Sequence, residues 1–187
     1  MTSVAISREE VVTRLAKVFR DEGYEAASLA RLATATGLGK ASLYYHFPNG
    51  KEEMAMAVVE QANVLFNENV IKPLLGSAKV ETRIARMIRN LDSYYCQGKE
   101  SCLLGVLAMS ATPAVFDQHI KDGLMSWIDN LARALQEYGL PRRTAQLRAE
   151  SAVCMVEGAL LLARGIGQPD PFSRVLKQLK PYLLESA

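Results

Sequence analysis

Lys40 and Ser42 open a short helical pattern that ends in Tyr44, Tyr45 and His46, so a few residues carry a cation, a hydroxyl, two phenols and an imidazole. At the start of a helix, side chains and free backbone amides can face a nucleic-acid groove. Lys40 can reach a base edge or a phosphate, and Ser42 can hydrogen-bond either. Ser28, at the start of the preceding helix, and Lys51, at the start of the following one, add candidate phosphate contacts, which set register but carry little sequence information. The elements that must hold these groups lie in the run SLARLATATGLGKASLYYHFPNGK, residues 28–51. A helix spans Leu29–Thr36, Gly37-Leu38-Gly39 forms a turn, and a second helix starts at Lys40. Two short helices joined by a tight glycine turn make a helix-turn-helix, whose second helix lies in the DNA major groove. Plainer roles stay open. Tyr44 can pack the head with its ring, Ser28 can be only an N-cap, and Lys51 can be a solvated helix-start residue, although acidic residues are preferred there. Leu32, Leu38, Leu43 and Phe47 read as core.

Global charge gives this site little help. The 187-residue chain is 49% apolar and 22% charged with a net charge of +2, the balance of a globular protein able to bury a core. Positions 1–52 hold seven basic and six acidic residues. DNA affinity must therefore come from placed groups, among them Lys40, Lys51, Arg31 and helix N-termini, and not from a broad positive field. Three widely spaced cysteines, Cys96, Cys102 and Cys154, argue against a disulfide framework and fit a reducing cytoplasm. MTSVAISREE becomes charged before any useful apolar run, so no leader is expected. The most apolar stretch, Ser151–Ala163, is interrupted by Glu157 and falls short of the about 20 residues that span a bilayer. The expectation is a cytoplasmic protein without a membrane segment.

Helix signals recur along the rest of the chain, and strand signals are weak. Ser7-Arg8-Glu9-Glu10 is a capping box, with Ile6 and Val11 as a hydrophobic staple, and Gly23 is placed to end helix one. A long helix starts near Lys51 and stops near Pro73. Another covers Glu81 to about Gln97, and a short one covers Cys102–Met109. Thr112-Pro113 restarts the chain with a cap and an N1 proline, and that helix runs to Tyr138-Gly139. Pro141 opens a helix lasting to about Gly165. Asp170-Pro171 opens the last, which Pro181 should kink or end. The sum is an all-α chain of about nine helices: a three-helix head over residues 1–48 and a larger helical body over 49–187.

Helix one ending in Gly23, then SLARLATATGLGKASLYYHF and KEEM, resembles the TetR/AcrR family of bacterial transcriptional repressors. The resemblance covers about residues 7–60. Phe47-Pro48-Asn49-Gly50-Lys51 is about one residue longer than the usual family turn. That turn and Ser101-Cys102-Leu103-Leu104-Gly105 are similar to a branch of drug- and flavonoid-responsive regulators that includes LmrA and YxaF. The resemblance implies a DNA-binding head with Tyr45 and His46 on phosphates, a homodimer on a pseudo-palindromic double-stranded operator, and a body that binds a small effector. No cofactor or metal is implied.

In the body, Ser151–Ala163 is apolar nearly all round and must be buried on several sides. With the amphipathic last helix it can form a four-helix interface across a two-fold axis, as in this family. The candidate effector pocket collects Met87, Leu91, Tyr94, Tyr95, Leu103, Leu107, Phe116, Trp127, Ile128, Met155 and Glu157. Each of the apolar ones can equally be plain core, and Glu157 can pair with an arginine or cap a helix. Two other readings use the same scaffold. Cys102, near Lys99, can be a reactive thiol in a redox or electrophile sensor. Alternatively the body is a filled core in a DNA-bound interaction protein without a small ligand. An enzyme is disfavoured: His46 sits in the DNA motif, His119 lacks ligand or nucleophile spacing, and no phosphate loop or zinc pattern is present.

Overall fold

Ser7 Oγ accepts the Glu10 amide at 3.2 Å and starts α1, Arg8–Ala26, as the capping pattern predicts. The structure, a computed structural model, describes residues 6–185; the leader reading at residues 1–5 lies outside it. Val11, Leu15 and Phe19 of α1 are fully buried. Gly23 has φ +76° and breaks the helical path, and a Cβ there would stand 2.8 Å from Ser110 Oγ. Only glycine meets both conditions without strain.

Next come α2, Leu29–Thr36, and α3, Lys40–His46, with the boundaries the sequence implies. The fourth helix, α4, Lys51–Phe66, is regular only as far as Phe66. A π-helical turn, Asn67–Ile71, and a 3-10 turn, Lys72–Leu75, carry the chain through Pro73. The α5 helix, Val80–Tyr94, stops short of Gln97, because Cys96 and Gln97 take positive φ values of 48° and 57° in a 3-10 turn.

After α6, Leu103–Ala108, the α7 helix runs over Val115–Glu137. The expected restart at Thr112-Pro113 is corrected: Phe116 N donates to Pro113 O at 3.0 Å, so Pro113 opens a turn ahead of the helix instead of its first position. The α8 helix, Arg142–Ile166, follows Pro141 and closes on Gly167 in the left-handed conformation. The α9 helix, Asp170–Leu184, passes through Pro181. Proline this near the end removes one backbone bond from an exposed position, while Leu179 and Leu183 on either side are buried and hold the last turn.

The described residues thus form nine α-helices and no strand, and no helix among them is long and apolar enough to cross a membrane. They gather into two compact units, the first reaching Ala62 and including Leu103–Ile120, the second comprising Asn63–Cys102 and the chain from Lys121. In the first, α1 packs on α2 and α6 over a core of Leu15, Phe19, Leu32, Leu43, Phe47 and Met54. Leu38, expected in that core, is only half-buried. In the second, α5 and α8 pack on α9 around Ile84, Leu91, Val156, Phe172 and Leu179. Arg83, buried there, donates to Leu74 O at 2.6 Å and pairs with Glu137.

Candidate nucleic-acid interface

The α2–α3 pair is fixed at each junction. Ser28 Oγ accepts the Arg31 amide at 3.3 Å and caps α2. Gly37, at φ +73°, returns its amide to Ala33 O and Thr34 O. Arg14 of α1 donates to Thr36 O at 3.0 Å and so satisfies a terminal carbonyl of α2. Gly39 caps α3 through its backbone only, which leaves the first amides of that helix without intrahelical acceptors. Leu43 of α3 and its C-cap residue Phe47 are buried while Lys40, Ser42, Tyr44 and Tyr45 are exposed, Tyr45 at 84%. The donors therefore share the solvent side of a helix whose other side anchors it.

Each remaining candidate has a defined surrounding. His46 is half-buried between Tyr45, edge-on at 5.6 Å, and Phe47 at 6.3 Å. Tyr44 lies against the following turn, where a Cβ on Gly50 would meet its ring at 3.5 Å. That turn is closed: Gly50 N donates to Phe47 O at 2.9 Å, and Glu53 accepts the Asn49 amide at 2.9 Å. The extra residue is thus absorbed in a hydrogen-bonded turn with Gly50 at φ +71°.

Lys51 donates to Tyr24 O at 2.7 Å and Glu25 O at 3.3 Å, and its ammonium lies 4.3 Å from the Tyr24 ring centre. Burial lowers its pKa, partly opposed by Glu25. An ammonium has three donors, so one remains for a phosphate while two hold the end of α1. Arg31, the other cation of the sequence argument, is engaged by Glu22 through Nε at 2.9 Å and Nη2 at 2.5 Å. Lys40 carries no such partner among the described residues.

The body candidates divide. Leu103, Leu107 and Phe116 belong to the first unit, where Phe116 packs tilted against Tyr24 at 5.6 Å. The second unit holds Met87, Leu91, Tyr94, Tyr95, Trp127, Ile128, Met155 and Glu157. Its aromatics form a chain in which Trp127 meets Phe66 at 5.0 Å, Phe66 meets Tyr94 at 5.2 Å, and Tyr94 meets Tyr95 at 5.0 Å. Tyr95 is buried, and its phenol is pushed well up by burial first and then by Cys102 and Glu157. Glu157 is raised by burial against a hydrogen bond with Cys102. Phe66, legible in the sequence only as part of an apolar helix face, and the pairing of Cys102 with Glu157 are not among the expected site contacts. A cysteine far from Glu157 in the chain leaves no periodic signal.

Capped short helices, a buried anchoring face and an exposed row of donors define a helix-turn-helix DNA-binding transcriptional regulator. Residues 13–58 match the bacterial regulatory proteins of the tetR family, and residues 77–178 match the C-terminal domain of LmrA/YxaF-like transcriptional regulators. The chain belongs to the TetR family, in its LmrA/YxaF-like branch. It is 25% identical to the HTH-type transcriptional regulator YxaF of Bacillus subtilis, over 96% of both chains. A TetR transcriptional regulator from Legionella pneumophila has the same fold, with TM-score 0.82, 23% identity and coverage of 96% of this chain and 97% of that one. The regulator CifR, solved with 26-base-pair operator DNA, shares the fold at TM-score 0.78 and 18% identity over the whole of both chains.

Proposed function

We propose that the chain is a ligand-responsive bacterial repressor, acting in the cytoplasm without catalysis, that binds a pseudo-palindromic operator as a homodimer. Residues 1–48 read DNA, and residues 49–187 bind the effector and the second copy. The exposed donor row of α3 on its capped scaffold carries this reading. In it, Lys40 and Ser42 contact base edges or phosphates, and Ser28, Tyr44, Tyr45, His46 and Lys51 hold the phosphate backbone. The operator-bound relative CifR supports the DNA partner.

The homodimer is supported by α8. Its inner face buries Ala152, Val156, Ala159 and Leu160, while Leu147, Leu161, Leu162 and Ile166 remain more than half exposed. An uncovered apolar stripe of this kind on a regulator that reads two half-sites calls for a second copy. The effector is a small, largely apolar or aromatic molecule. It releases DNA only to the extent that it binds the two states of the protein unequally.

Two observations weigh against the alternatives. Cys102 is buried beside a carboxyl and a phenol, unlike the exposed electropositive setting of reactive thiols. Buried polar atoms without partners, Trp127 Nε1 and Glu157 Oε1, do not suit a simply filled core.

The test is selection of duplexes from a random library with the purified chain, followed by titration and sedimentation. A two-fold symmetric site carrying an even number of chains is expected. Failure to enrich any sequence, or a site occupied by a single chain, would overturn the reading.

A further inference from the structure

Most cations of the DNA-binding head are already engaged. Seven basic residues stand among positions 1–52. Arg14 pairs with Glu10 and donates to Thr36 O, Lys17 pairs with Asp21, and Arg31 is held by Glu22. Lys51 gives two donors to the carbonyls of Tyr24 and Glu25, and Arg20 has a partner of its own. Arg8 and Lys40 remain, neither with a hydrogen bond or ion pair among the described residues. Lys40 belongs to the donor row of α3. Arg8 lies outside the helix-turn-helix in the chain, and nothing in its spacing marks it.

Arg8 is exposed and is the first residue of α1. A cation there opposes the helix dipole, so it does not serve the stability of α1. Its neighbours at i+3 and i+4 are the buried Val11 and Val12, so no acid of its own helix faces it. Its contact is with the end of α3, where the guanidinium lies 4.9 Å from the ring centre of Phe47. Phe47 is fully buried, donates its amide to Leu43 O at 2.8 Å, and accepts Gly50 N at 2.9 Å. The platform is thus fixed through both of its backbone groups. Its ring attracts the charge of the guanidinium and leaves the N–H donors without acceptors.

Free cations therefore stand at both ends of α3, Lys40 on its first residue and Arg8 over its C-cap. A rise of about 1.5 Å per residue sets Lys40 and Phe47 about 10 Å apart along the axis. The major groove is about 12 Å wide, and a phosphate strand borders it on each side. We propose that Arg8 is a phosphate contact of the DNA-binding surface, held by Phe47 so that Arg8 and Lys40 face the two strands that border the groove. This rests on the DNA reading above and adds to it a residue from outside the helix-turn-helix. Arginine suits the position because a planar guanidinium can lie on a ring and still present paired donors to a phosphate, which an ammonium cannot. The contact carries register and not sequence.

The test uses the full chain and two labelled duplexes, one of mixed sequence and one enriched from the random library, titrated over a range of salt. Arg8→Met keeps an unbranched stem over the ring and removes the charge. It should weaken both duplexes alike, about ten-fold at low salt, and lower the slope of log affinity against log salt by about one for each chain bound. Arg8→Lys should keep the slope and bind with intermediate affinity. Thermal melts check that each variant is folded. Duplexes in which one phosphate at a time is replaced by a neutral methylphosphonate separate a contact from a structural effect. One position in each half-site should weaken the wild-type chain and leave Arg8→Met indifferent, while the other positions affect both proteins alike.

A wild-type salt slope in Arg8→Met, or a wild-type response at every methylphosphonate position, would overturn the proposal and reduce Arg8 to a cover on Phe47. In that case salt-dependent binding by the wild-type chain leaves the DNA reading standing. A wild-type chain that binds neither duplex at low salt refutes the DNA reading and the role of Arg8 with it.

Discussion

The two compact units treat polar groups in opposite ways. In the first, the groups assigned to DNA stand outside: Lys40, Ser42 and Tyr45 are exposed, with Leu43 of the same short helix and Phe47 at its C-cap buried. In the second, the groups assigned to an effector stand inside, with Trp127 and Tyr95 almost wholly buried and Glu157 raised in pKa by burial. The phosphate backbone of DNA is a large, charged partner, and solvated donors can meet it at little cost to folding. A small ligand must be enclosed, so the atoms that recognise it are buried and incomplete until it arrives. Recognition and stability are thus separable in the first unit and opposed in the second.

The largest expected effect comes from attacking the anchor and not the donors. Phe47 is fully buried, with the Arg8 guanidinium 4.9 Å above its ring. Phe47→Ala should cost about 3–5 kcal/mol in thermal unfolding and abolish DNA binding along with it. Loss of DNA binding in a protein of unchanged stability would break the separation.

Lys51→Ala comes next. It should weaken binding to operator and unrelated duplexes alike and lower the slope of log affinity against log salt by about one, as for one lost phosphate contact. A slope that stays put while stability falls would reduce Lys51 to a clamp on the carbonyls of Tyr24 and Glu25.

The smallest effect sharpens the second unit. Burial lifts the Glu157 pKa above the ordinary 4.5, so the folded state holds the proton more tightly than the unfolded chain. Its stability is then full at low pH and declines as pH rises from 4.5 through the raised value. Glu157→Gln should remove that decline, read as the difference between the two proteins in denaturant titrations across that range.

Much of this was legible in the chain because local rules govern it. Ser7 and Ser28 cap the helices they precede, Gly23 and Gly37 take positive φ, and α2 and α3 begin and end where the residues indicate. The failures were also local in origin. The Thr112-Pro113 cap lost to a turn, and Pro181 was tolerated because one missing bond near a helix end matters less than the buried leucines beside it. The apolar run in α8, read as buried on several sides and able to join a dimer interface, leaves one face open in the single chain. Periodicity reports that a face is apolar, not what covers it.

By itself the sequence determined the helix-turn-helix, the order of the helices and the donors of α3, since each depends on residues within a turn or two of one another. Only the tertiary structure decided that Arg31 is engaged by Glu22, that Lys51 ties down the end of α1, and that Phe116 packs with Tyr24 apart from the other aromatics of the pocket list. It alone joined Tyr95, Cys102 and Glu157 into one cluster. Those pairings link residues that no single turn of helix brings together, and burial and charge compensation across packed elements leave no periodic trace in the sequence.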